Sequence, residues 1–106
     1  MELIETSTFT RQIAPLLSDD EYREFQFRIA ANPESGDLIV GGGGIRKVRV
    51  AIGSRGKSGG ARVIYYWAVR EDVILLLYAY SKNQAADLTP KQVAQLAKVV
   101  KEEFGQ

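Results

Sequence analysis

Apolar positions along the chain recur first with a helical period and later with the alternation of strands. Residues 2–5, ELIE, read as a short strand. Phe9, Ile13, Leu16 and Leu17 then recur at helical spacing and predict a core-facing helix, with Ser7 or Thr8 as its cap. Pro15 kinks or ends it. Ser18 and Glu21 have capping-box spacing, and Asp19, Asp20 and Glu21 fall in a first turn that favours negative charge. A second helix over about Asp19–Ala31 should bury Tyr22, Phe25, Phe27 and Ile29 and stop at Asn32-Pro33. The two helices read as an antiparallel hairpin.

Beyond the hairpin, Leu38–Val40 leads into four glycines, Gly41–Gly44, and the period becomes that of strands. Ile45–Ile52 alternates Ile45, Lys47 and Arg49 on one face with Arg46, Val48 and Val50 on the other. A polar, glycine-rich loop over Gly53–Gly60 follows. Ala61–Val69 is rich in β-branched and aromatic residues and predicts a second strand. After a turn at Arg70-Glu71-Asp72, the continuous apolar run of Val73–Tyr80 predicts a third strand covered on both faces. Thr89 and Pro90 open a closing helix to Phe104, with Val93, Leu96, Ala97 and Val100 as its apolar stripe. The order β-α-α-β-β-β-α is that of an α+β fold: a small, mainly antiparallel sheet with an N-terminal helical hairpin and a C-terminal helix.

Composition narrows the chemistry. A chain of 106 residues, 45% hydrophobic, is expected to be one domain over residues 1–106 with one core. No apolar run approaches a membrane span, and MELIETSTF has no basic region followed by an apolar one, so neither a membrane partner nor a signal peptide is expected. With neither cysteine nor histidine, thiolate chemistry and imidazole- or thiolate-held zinc are excluded.

Charge changes the picture further. Residues 38–70 carry seven bases and no acid, residues 1–37 three bases and eight acids, and residues 71–106 four bases and five acids. A chain of net charge +1 thus has a strongly basic middle, the mark of a site for anions and, over such a length, for a polyphosphate backbone. Lys47 and Arg49 point the same way two residues apart, as paired phosphate contacts require. The competing reading is a solvated strand face balanced by helix acids. Arg46 is expected to pair with those acids. Tyr65, Tyr66, Trp67 and Tyr78 are expected to pack the sheet, and Arg70 to be a solvated turn residue.

The stretch AIGSRGKS, Ala51–Ser58, fits a relaxed phosphate-binding loop, but that loop needs a helix after it and GGARVIYYWAV is strand. No nucleotide cofactor is expected.

The stretch GGGGIRKVRVAIGSRGKSGGARVIYYW, with LLLYAYSKNQAADL after it, resembles the HigB-type toxins of bacterial toxin–antitoxin systems, in the RelE/ParE superfamily. The upstream DDEYREFQFRIAANPESGDLI and the closing helix extend the likeness over nearly the whole chain. The resemblance implies a ribosome-dependent endoribonuclease, an mRNA interferase that works in the cytoplasm without metal or other cofactor and is neutralised by a cognate antitoxin. Its partners would be that antitoxin, the ribosome and mRNA.

Such an enzyme uses the substrate's own 2′-hydroxyl as nucleophile. The protein must accept that proton, stabilise a crowded phosphorane and protonate the leaving 5′-oxygen. By the resemblance, Lys47 serves proton transfer, Arg49 and Arg62 hold the scissile phosphate, and Lys82 is an acid or a second phosphate clamp. Arg55 and Lys57 would contact RNA backbone, and Tyr80, sharing a face with Lys82, would stack a base or donate a proton. Relatives that supply a histidine or arginine near Asn83 have no counterpart here. Two alternatives remain at this level: a ParE-like inhibitor of DNA gyrase, and a non-catalytic basic nucleic-acid-binding module.

Overall fold

The computed structural model describes residues 1–52, 60–85 and 87–105. The described residues form a five-stranded mixed sheet and three helices. Strand β1 (Glu2–Glu5) is followed by α1 (Ser7–Ile13) and α2 (Asp19–Ala31). Strands β2 (Asp37–Leu38), β3 (Arg46–Val50), β4 (Ala61–Ala68) and β5 (Val73–Ser81) follow, and α3 (Pro90–Phe104) closes the chain. The sheet order is β1-β5-β4-β3-β2, with β1 parallel to β5 and the other pairs antiparallel. This is the expected α+β architecture, with one strand more. Leu38 belongs to a two-residue edge strand, too short for alternation to reveal.

Local chemistry sets the helix boundaries. Helix α1 is capped by Thr6, one residue before the expected Ser7 or Thr8, because the Thr6 hydroxyl accepts from Phe9 N and also donates to Leu77 O at 3.2 Å. It stops at Ile13, ahead of Pro15. Ser18 and Glu21 make the expected capping box, and the expected cap Thr89 forms a second box with Gln92 at α3. Phe27 departs from the pattern. At 71% exposure it points to solvent, because the buried stripe of α2 runs through Phe25 and Ile29 and leaves position 27 on the outer side.

The expected single core is two layers. On one face, Phe9, Ile13, Leu17, Phe25 and Ile29 pack on Val48, Val50, Val63, Tyr65, Ile74, Leu76 and Ala79. On the other, α3 brings Val93, Leu96, Val100 and Phe104 against Ile45, Ile64, Leu75, Leu77 and Tyr80. Val73–Ser81 is therefore covered on both sides, as its apolar run requires.

Two features position the site. Tyr65, fully buried, donates its hydroxyl to Pro33 O at 2.7 Å and accepts from Gly36 N at 2.9 Å. Arg46 holds the same connection by donating to Gly36 O at 2.8 Å and Glu34 O at 3.3 Å. It thus bonds backbone carbonyls where helix carboxylates were expected, since the α2–β2 connection folds back beside its strand. The second feature is a bulge in β5. Tyr65 pairs with Leu76, but Ile64 pairs with Tyr78, so Leu77 is the extra residue. Unbroken register would set Ala79 beside Arg62. The bulge sets Tyr80 there.

Candidate active site

Arg49 on β3 and Arg62 on β4 are register partners, and Tyr80 on β5 is the next partner of Arg62. The three form a row across the sheet on the face that α3 covers further along. Lys47, two residues before Arg49, is on the same face. Cross-strand neighbours sit about 5 Å apart, so the two guanidinium groups start from adjacent backbone positions. Like charges there oppose folding, and an anion between them relieves the repulsion. Lys47, Arg49 and Arg62 line one open cleft of about 520 Å³ with Arg28, Ser35, Asp37 and Val48. Ordinary ligand sites begin at about 300 Å³.

Among the described residues, the Arg49 guanidinium has no hydrogen-bond or ion-pair partner, and Arg62 donates only to its neighbour's carbonyl, Ala61 O, at 3.3 Å. Arg28, which sequence pattern did not single out, enters from the last turn of α2 and donates to Arg49 O at 2.8 Å. Its place on the polar side of the helix was legible, but its reach to β3 depends on how α2 lies across the sheet.

Asp87 is the other group that sequence reasoning missed. Its Oδ1 lies 3.0 Å from Lys47 Nζ and accepts from Leu88 N at 2.9 Å. The hydrogen bond from Lys47 holds this carboxyl below its usual pKa, helped by the Leu88 amide and the charges of Lys47 and Arg62, against slight desolvation. Forty residues of chain separate the partners. The only signal in the sequence was a lone acid between the last strand and the closing helix.

Tyr80 is 5% exposed and its hydroxyl is buried without a partner among the described residues. Burial raises its pKa, as does the Asp87 charge, while Arg62 pulls it down. The residue expected to stack a base or donate a proton thus has a largely covered ring. It is the register partner of Arg62, and it lines a second cavity with Arg11, Tyr78 and Gln92. Lys82 lies in the turn after β5, exposed, with its amide bonded to Gly60 O at 3.0 Å, and it does not line the cleft. Arg55 and Lys57 lie outside the described residues, as does most of the refused loop motif. Beyond that loop, β4 begins at Ala61, so the chain continues as strand. Tyr65 and Trp67 pack toward α1 and α2, and Tyr66 stacks on Phe104 with centroids 5.6 Å apart.

A cationic row on a small helix-flanked sheet is the arrangement of a site for anions. Residues 1–105 match the family described as RelE toxin of the RelE/RelB toxin–antitoxin system, and the chain belongs to that family. The fold is also similar to the free-state structure of a double mutant of the E. coli toxin RelE, with a TM-score of 0.56 and 15% identity over 97% of each chain. The protein is a toxin of a toxin–antitoxin system, an endoribonuclease that cleaves mRNA on the ribosome, and its partners are an antitoxin and the ribosome.

Proposed function

We propose that this toxin, as a single domain of the HigB type working in the cytoplasm, cleaves mRNA without a metal ion, with Arg49 and Arg62 on the scissile phosphate. The observation that carries this reading is the register pair Arg49–Arg62, with Lys47 on the same face of the same cleft. A cluster of cations repels a divalent metal and supplies the charge that a phosphorane needs. The 2′-O–H bond breaks, the 2′-oxygen bonds phosphorus, and the P–O5′ bond breaks as the 5′-oxygen takes a proton. The products are a 2′,3′-cyclic phosphate and a 5′-hydroxyl. Lys47 serves proton transfer beside the phosphate. Lys82 is an acid or second clamp for RNA entering over the turn, and Arg55 and Lys57 contact RNA backbone. Tyr80, the register partner of Arg62, stacks a base or donates a proton.

The test is cleavage of a defined mRNA by the purified protein, with and without ribosomes, beside Arg62→Ala. Cuts should appear only with ribosomes, and the variant should be slower by roughly 100-fold to 1000-fold, the loss typical of one charge-stabilising donor. Cleavage surviving EDTA supports the metal-free route. Full activity of the variant would remove Arg62 from the reaction.

A further inference from the structure

We infer that Asp87 is a positioning residue of the cleavage site, holding the Lys47 ammonium over the Arg49–Arg62 pair while competing with RNA phosphate for that ammonium. The inference rests on the proposed placement of the phosphate among Lys47, Arg49 and Arg62.

The geometry shows both sides of this role. Lys47 is the more covered partner, its side chain 29% exposed, whereas the Asp87 side chain is 64% exposed. Left alone, a lysine on a strand face has four flexible torsions and samples solvent. The carboxylate removes that freedom and is itself held, because the same Oδ1 accepts the Leu88 amide. Leu88, the next residue, packs against the α3-side core just before the helix begins at Pro90. The carboxylate also acts on the charges around it: Arg62 helps hold it ionised, and it raises Tyr80. Asp87 therefore contacts β3 through Lys47, within charge range of Arg62 on β4 and Tyr80 on β5.

An anion in that place has two opposite consequences. It presets Lys47, which favours the reaction once substrate is bound. It also cancels one positive charge of the site, which weakens the binding of RNA. A surface ion pair with only a stabilising role would share the second consequence but not the first.

The test is Asp87→Asn in the full chain. Asparagine keeps an oxygen for the Leu88 amide and removes only the charge. Binding is measured with a short RNA carrying a 2′-deoxy nucleotide at the cut site, across a salt series. Cleavage is measured with programmed ribosomes. The expected result is a split. The variant binds RNA more tightly, with a log–log salt slope steeper by about 0.7, the increment of one extra phosphate contact on a single strand. At saturating substrate it cleaves more slowly by roughly 10-fold to 100-fold, the scale of a misplaced reacting group. Asp87→Glu should return the salt slope to that of the parent and recover part of the rate. In a Lys47→Met background, Asp87→Asn should have no further effect on rate. Unchanged binding and rate in Asp87→Asn, or tighter binding with undiminished cleavage, would overturn the positioning role. So would parallel loss of binding, rate and melting temperature. If Lys47→Met alone cleaves normally, the placement of Lys47 in the site fails, and that result is distinct from a silent Asp87→Asn.

Discussion

Tyr22 donates its hydroxyl to Glu5 Oε2 at 2.5 Å, tying α2 to the first strand. Burial, and then the bond and charge of Glu5, push this phenol well above its usual pKa of about 10. Such a group binds its proton more tightly when folded. Its contribution to stability is complete below the unfolded value and is lost as pH rises toward the folded one, because the unfolded chain then holds fewer protons. Stability measured by urea should therefore fall above about pH 10, and less steeply in Tyr22→Phe. Equal slopes for the two proteins would show that Tyr22 is not the group concerned. The site residues follow the same logic of partner and burial: Asp87 gains a cation and titrates low, while Tyr80 loses water and titrates high.

Among the elements, α2 shows most directly how sequence becomes position. Its capping box satisfies orphan donors at the first turn, three acids face the dipole there, and Arg28 falls in the last turn. Ser18→Ala should lower stability by about 1 kcal/mol in chemical denaturation, the usual effect of losing such a cap. Since α2 holds Arg28 against Arg49 O, looser α2 docking should also disturb the cleft wall. Strand β5 works differently. Its bulge at Leu77 lets Leu77 and Tyr78 both turn toward α3 and brings Tyr80 beside Arg62. At the other end of β3, Gly44 lies at φ +105, where a Cβ would meet the Tyr66 ring at 2.9 Å. Glycine is required there for both conformation and space.

At the scale of the molecule, a net charge of +1 conceals a separation of charge. Four of the eight acids of the first 37 residues lie on α2, whereas Lys47, Arg49 and Arg62 converge on one cleft. This arrangement attracts a polyanion to one side and leaves a weak overall field. Arg49→Ala should reduce the salt slope of RNA binding by about 0.7, with little change in melting temperature, since its guanidinium is exposed. An unchanged slope would place the backbone path elsewhere.

Periodicity determined nearly all the elements of this protein, because burial of an apolar stripe obeys the local repeat of a helix or strand. The bounds of α2 and α3, the Ser18–Glu21 capping box and the shared face of Lys47 and Arg49 were legible in the sequence. The seven-base stretch likewise contained the three bases, Lys47, Arg49 and Arg62, that the fold brings to one cleft. Tertiary structure alone decided the edge strand β2, the outward Phe27, the covered ring of Tyr80 and the carbonyl partners of Arg46. It also decided the approach of Arg28 and the ion pair of Asp87 with Lys47. Each of these depends on where distant segments meet or on a one-residue bulge that shifts register. A local repeat carries no information about contacts made across tens of residues.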